Sequence, residues 1–502
     1  MYKRILVANR GLIQAACVRA IKSLGAEAVA LCEEGDFNQV GVREASQVYV
    51  ISSTKKSSPY LDVEQVVQAA VKCKADAVHP GYGFLASSIE LSQKLAQHGI
   101  AFISSTWLSK GRSTSEHKKL LNEIALKAGI AVLPHSTVFT DIAALSGEAE
   151  NIGYPLMVKA AGAAGGRCIR EAKDQEELQT AIDSVLRQCE RFGYEKDIYL
   201  EKTITHPHIV SFPILRDKSG KHIIFPELEG SVQFRFRKLL VESPSPYISK
   251  ECRGKIMSVL PALVDGLDIV GYANAEFFVS ENDIYLLDVK ENVQHFYGVT
   301  TLLTGVDILR EQIRLHSGEP LLLQKENTRS EGTVLAVNID AMDPYNKFSP
   351  SPGKIERMFF PYGDGIVVMS PFVSGDTISS NYESVLAKVM AYASTREKAI
   401  SNMKSALSSF RIEGISTTLP FLRGVLKHPD FVNLKWTGMH MAYESRIQEV
   451  LENIYTPEEE EQAALVAALA LSTDSNASTI MANAEHGGFL WAMFRGDRKL
   501  QY

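Results

Sequence analysis

The first hundred residues alternate short apolar runs with stretches whose apolar positions recur every three or four residues. "RILV" at 4–7 precedes "LIQAACVRAIKSLG", and "EAVALC" follows at 27–32. "ADAVH" at 75–79 leads through a loop into "SSIELSQKLAQHG", and "IAFISS" closes the series. Short apolar strands followed by amphipathic helices predict a parallel, doubly wound sheet. Strand-to-helix loops are the ligand edge of such sheets, which singles out "ANRG" at 8–11.

The pattern then changes. From Glu116 to Lys202 it predicts a smaller α/β segment: the helix "EHKKLLNEIALKAG", the strand "YPLMVKA", the loop "AGAAGGR" and the strand "DIYLEKTI". Residues 203–330 carry longer strands and amphipathic helices, consistent with a mixed sheet, and a further α/β unit starts at "GTVLAVNIDAMDP". The tail has Thr456 as an N-cap, Pro457 at the first helical position and Glu459 closing a capping box. After the linker "STDSNAST", Phe489, Trp491 and Phe494 are costly to leave in water, so the end reads as a docking segment.

Composition narrows the class. A chain of 502 residues exceeds one hydrophobic core and implies two to four domains. The net charge of −6 gives no global reason to expect nucleic-acid binding. The six cysteines are scattered with no CxxC, so free thiols in a reducing cytosol are expected. No apolar run reaches membrane-spanning length, and "KRILVANRG" follows Met1 too closely for a leader peptide. The expected location is cytoplasmic.

Two stretches could carry chemistry. "VKAAGAAGGRCIRE" puts Lys159 at a strand end before a glycine-bearing turn, the arrangement that lets backbone N–H groups and an ammonium meet phosphate. In the second, the apolar strands "NAEFFVS" and "IYLLDVK" flank a polar turn near Asn282. Closing this hairpin symmetrically sets Glu276 directly opposite Asp288. Opposed like charges are destabilising, so a cation is expected between them. Magnesium is one candidate. Lys290 is another, because alternation along an extended strand puts Asp288, Lys290, Asn292 and Gln294 on one face.

Over roughly residues 1–446 the order and spacing of motifs resembles biotin carboxylase, the ATP-grasp subunit of biotin-dependent carboxylases. The landmarks are "ANRG", "HPGYGFL" at 79–85, "YPLMVKA" with its glycine loop, "YLEK" at 199–202, "SPSPGKI" at 349–355 and "NYESVLAK" at 381–388. The resemblance implies an α/β ATP-grasp fold in several parts. These are a Rossmann-like N-terminal domain (1–115), an ATP-grasp domain (116–330, mobile lid about 131–203), a biotin-carboxylase-type C-terminal domain (331–446) and a helical, linker and docking extension (447–502). In that family ATP and bicarbonate give carboxyphosphate, whose CO2 reaches N1 of biotin.

By the same resemblance, Lys118, Lys159, Gly165 and Gly166 match positions that hold ATP phosphates. Glu201 and Lys202 lie beside the adenine, Gln233 near the ribose, and Glu276 and Asp288 at the metal. Lys238 and Gln294 survive from the bicarbonate pocket. Other positions depart from the family. Lys290 replaces an asparagine, Asn292 the bicarbonate-gripping arginine, Phe296 the general-base glutamate and Asn338 the arginine that stabilises the biotin enolate. Ile209 and Phe236 replace histidines, Ala163, Ala164 and Cys168 replace glycines, and Ala16 replaces an interface arginine. Phenylalanine cannot accept a proton, and an amide supplies no fixed charge for a developing anion.

Two functional readings follow. One is a catalytically impaired subunit, structural or regulatory, in a biotin-dependent acyl-CoA or keto-acid carboxylase complex. ATP and Mg2+ binding would then be weak or lost, and biotin would be carried on a partner protein. The other is an active, divergent biotin carboxylase using a replacement base such as His295. Expected partners are carboxyltransferase or biotin carrier subunits or an active paralogue, in a dimer or larger complex, with no nucleic acid and no membrane span. The Ala-rich helix and Trp/Arg tail resemble accessory subunits that dock onto a carboxyltransferase.

Overall fold

The computed structural model describes residues 1–454 except 53–57, 84, 111–113, 138–141, 161–167, 193–195, 205–206, 281–282, 324–330, 383, 439–443 and 453, and beyond 454 describes residues 461 and 465. The opening strands form the expected parallel sheet, in the order Gln47–Val50, Glu27–Cys32, Arg4–Val7, Ala77–His79, Ala101–Phe102. Their side chains are apolar on both faces because helices cover both. Ile5 and Val7 pack with the Gly11–Ser23 helix, while Leu6, Val29 and Leu31 pack with the Val63–Lys72 and Ile89–Gln97 helices.

At the C-terminal edge of this sheet, Asn9 ties two loops together. Its Nδ2 donates to the carbonyls of Pro80 (2.6 Å) and Tyr82 (2.8 Å). Gly81 lies at φ +64°, and a Cβ there would meet Ile13 at 2.7 Å, so only glycine fits. The loop is thereby fixed with Tyr82 projecting from it.

The largest sheet is mostly antiparallel. Its order is Ile366–Met369, Val385–Ala393, Thr333–Asp340, Arg237–Ser243, Leu228–Phe234, His208–Arg216, Gly271–Val279, Ile284–Lys290, Ala131–Val132, with His222–Ile224 added beside His208–Arg216. Strands from distant parts of the sequence thus share one ladder. The helices Thr114–Lys127 and Lys250–Gly266 pack on it over Phe212, Phe277 and Val289. Farther along, the helices Arg396–Ser409 and Leu419–Lys427 bury Val337, Leu386 and Phe421.

The helix Ile308–His316 shares a core with the Gly11–Ser23 helix, which locks the first sheet against the large one. A separate three-stranded sheet, Ile169–Ala172, Leu156–Ala160 and Ile198–Lys202, carries the helices Ile142–Ile152 and Gln175–Phe192. In Leu156–Ala160 the residues Leu156, Val158 and Ala160 are buried, so Lys159 projects from the opposite face.

Candidate active site

The hairpin strands are Gly271–Val279 and Ile284–Lys290, and Glu276 does face Asp288. The route to that pairing differs from a symmetric closure. Val279 pairs with Ile284 and Phe277 with Leu286, and a bulge at Leu287 then restores the Glu276–Asp288 register. A bulge leaves its extra residue outside the ladder. The Leu287 carbonyl accepts a hydrogen bond from the Lys118 ammonium, which arrives from the helix Thr114–Lys127.

Two further ammoniums meet Glu276. Lys238 Nζ donates to Oε1 at 2.6 Å and Lys290 Nζ to Oε2 at 2.7 Å. Burial alone would raise the Glu276 pKa, but the two ammoniums outweigh it and hold the carboxyl well below its usual range. Burial likewise works to lower Lys290, and Glu276 and Asp288 reverse this, so its pKa is raised. Asp288 Oδ1 accepts from the Val289 N–H at 2.9 Å.

Magnesium takes oxygen ligands at about 2.0–2.1 Å in an octahedron. Both oxygens of Glu276 are already taken by ammoniums, so an ion on Oε2 would have to displace Lys290. Each Glu276 oxygen thus has an ammonium partner with which a metal ion would compete. Among the described residues, no group of three or more His, Cys, Asp or Glu converges elsewhere to hold one.

The hydrogen-bonded strand ends at Lys290. Burial still alternates beyond it as predicted, with Glu291 and Val293 buried and Asn292 and Gln294 half-buried. The latter two lie in an irregular segment in which Gln294 Nε2 donates back to Asn292, to its carbonyl at 2.9 Å and its Oδ1 at 3.1 Å. The chain then enters the helix Tyr297–Thr304 with Phe296 as its N-cap.

Phe296 is buried among Leu228, Val241, Val299, Leu303, Val334, Ala336 and Met390. Lys388, from the strand Val385–Ala393, holds its ammonium 4.6 Å from the centre of the Phe296 ring and donates to the His295 carbonyl. The His295 ring lies against Tyr82 at a centroid distance of 3.9 Å, so this segment touches the edge of the first sheet. Asn338 pairs with Lys388 across the ladder and is buried. Its Nδ2 reaches the Lys238 carbonyl at 3.4 Å, and its Oδ1 has no hydrogen-bond partner among the described residues.

The remaining predicted residues sit on or beside the small sheet. Lys159 forms an ion pair with Glu201, and Lys202 donates to the carbonyls of Gly153 (2.9 Å) and Tyr154 (2.6 Å). Tyr199 connects this group to the hairpin: burial, then the charges of Glu201 and Asp288, push its phenol far above the usual range. Gln233 pairs with Lys238 in the adjoining hairpin. Its turn, Arg235–Phe236, has both residues at positive φ (47° and 64°). Ile209 is buried, and Ala16 packs against its own chain's core. Gly165, Gly166 and the rest of the glycine loop lie outside the described residues, as do Thr456, Phe489, Trp491 and Phe494.

The contacts made by Lys388, the bulged Leu287 carbonyl and Tyr199 were not singled out by sequence reasoning. Lys388 closes the quoted "NYESVLAK", but nothing local marks its approach to a residue 92 positions earlier.

Fold and site together define an ATP-grasp protein, and the chain belongs to the biotin carboxylase family. Its residues 1–108 match the biotin carboxylase N-terminal domain, residues 117–324 the ATP-binding domain of carbamoyl-phosphate synthase L chain, and residues 336–441 the biotin carboxylase C-terminal domain. It is 34% identical to biotin carboxylase 1 of Bacillus subtilis over 436 residues, covering 86% of this chain and 96% of that protein. It is 33% identical to the 2-oxoglutarate carboxylase small subunit of Hydrogenobacter thermophilus, covering 90% and 96%. Among solved structures, it superposes with a TM-score of 0.84 at 32% identity on the biotin carboxylase domain dimer of the Hydrogenobacter thermophilus 2-oxoglutarate carboxylase, in complex with MgADP, ADP and bicarbonate, covering 90% of this chain and 99% of that one. The Campylobacter jejuni biotin carboxylase gives 0.81 at 29% identity, covering 88% and 99%. Among the described residues no helix is long and apolar enough to cross a membrane.

Proposed function

We propose that this chain is a catalytically impaired biotin-carboxylase-like subunit, a structural or regulatory component of a biotin-dependent acyl-CoA or keto-acid carboxylase complex. One observation carries the reading. At the position matched to the family's base, an aromatic ring is packed into an apolar core, with an ammonium above it. A ring so placed does not accept a proton from bicarbonate. Asn292 and Asn338 extend the same argument, since neither amide supplies the fixed positive charge that anion capture and enolate stabilisation require.

The nucleotide side of the pocket keeps Lys118, Lys159, Glu201, Lys202 and Gln233, with binding of magnesium-ATP weakened by Lys290. Residues 456–502 bind a carboxyltransferase or carrier subunit of the complex. Pull-down of partner subunits by the full chain, and their loss on deleting 456–502, tests that assignment; an unchanged complex rejects it.

The deciding assay is bicarbonate-dependent ATP cleavage with free biotin or a biotinylated carrier. No turnover is expected from this chain. Sustained turnover refutes the proposal in favour of an active, divergent carboxylase with His295 as base. The combined Phe296→Glu, Asn292→Arg, Asn338→Arg variant is the control for the missing groups.

A further inference from the structure

We infer that Lys290 is a tethered cation standing at the Glu276–Asp288 pair in place of a divalent ion, so that this site takes a nucleoside triphosphate in its metal-free form. The inference rests on the reading of the pocket as a surviving nucleotide site and specifies the chemical form of its ligand.

The argument begins with charge. Glu276, Asp288 and Lys290 lie on two paired strands, and Lys238 reaches Glu276 from the strand Arg237–Ser243, three places away in the same sheet. With Lys118 at the Leu287 carbonyl beside Asp288, three ammoniums stand against two carboxylates, an excess of one positive charge. A magnesium ion seated on Glu276 Oε2 would meet the Lys290 ammonium, which contacts that oxygen at 2.7 Å. Lys290 lies in the last ladder pair of its strand, opposite Asn274, so its Cα is placed beside the Glu276–Asp288 pair.

The same arrangement favours a free polyanion. Lys118 is held at the Leu287 carbonyl, next to Asp288, and Lys238 and Lys290 converge on Glu276. Each ammonium has three donors, and each contact just described uses one. A free triphosphate carries more negative charge than its magnesium complex, so it gains more from these lysines acting as point charges. A covalently attached cation also needs no free metal to be present. A magnesium complex, by contrast, brings a cation to a place where one already stands.

The test is equilibrium titration of the full chain with ATP, once in excess EDTA and once in excess magnesium, followed by calorimetry. The expected result is binding in EDTA that is equal to or tighter than binding in magnesium. Lys290→Asn, which frees Glu276 Oε2, is expected to reverse this preference by about tenfold. Lys290→Arg, which keeps the charge, is expected to retain the wild-type preference and serves as the folding control. Paramagnetic resonance with Mn2+ and ATP should show no protein-bound manganese in the wild type.

Wild-type binding tightened about tenfold by magnesium overturns the inference. So does a Lys290→Asn variant that folds but shows no gain from magnesium. Absence of ATP binding under both conditions also overturns it, while leaving the non-catalytic assignment intact. That assignment falls separately, on bicarbonate-dependent turnover.

Discussion

Glu276→Gln preserves the shape of the side chain and removes the one charge that two ammoniums share. Deleting a partner from a fully buried pair costs about 3–5 kcal/mol, whereas exposed pairs are worth about 0.2–1 kcal/mol. Glu276 is buried, but the side chains of Lys238 and Lys290 are 22% and 35% exposed and regain some hydration. The expected loss at neutral pH is therefore about 2–3 kcal/mol, or about 4–10 °C in Tm. The pH dependence separates a lost charge from a packing defect. The folded-state pKa of Glu276 is depressed, so its contribution is complete above the unfolded value of about 4.3 and disappears as pH falls through the folded value. Urea denaturation of wild type and variant should show a constant gap from about pH 7 to about pH 5 and a narrowing gap in stronger acid. A variant as stable as wild type at pH 7, or a gap that ignores acid, would refute the reasoning.

Two further predictions concern buried groups. Phe296→Ala removes a ring from a closed apolar cluster and should cost about 3–5 kcal/mol in urea denaturation; a cost under about 1 kcal/mol would mean the ring is not packed as described. Glu242 faces Glu229 across the ladder, with Arg396 at 2.7 Å; burial outweighs that arginine and raises its pKa to about 7. A carboxyl raised in the folded state makes stability fall as pH climbs from about 4.3 through that value. Glu242→Gln should flatten that part of the stability–pH curve, and an unchanged slope would exclude Glu242 as its source.

Much of the fold could be read in local patterns. Both hairpin strands and the parallel opening sheet follow from the placement of apolar residues, which needs only neighbours in sequence. The Glu276–Asp288 opposition was also legible, although the bulge at Leu287 that produces it has no local signature. Alternation in burial holds through Asn292 and Gln294, but the end of ladder pairing at Lys290 was not legible, because no glycine or proline marks it. Long-range meetings were illegible. Lys388 reaches Phe296 only because Val385–Ala393 adds to a ladder begun much earlier in the chain. Substituted chemistry could be seen residue by residue, but the packing that now depends on it could not.

The ring at 296 has a consequence for how such a protein can change. Leu228, Val334 and Met390 have closed around it, so an acidic replacement by itself would open a void and strand a carboxylate among aliphatic carbons. Lys388, whose ammonium stands 4.6 Å from the ring centre and donates to the His295 carbonyl, would be the cation facing that carboxylate. An acid at position 296 therefore exchanges the packing of a buried ring for one ion pair. Change at this position is thus tied to its apolar neighbours, whereas an exposed side chain can be altered alone.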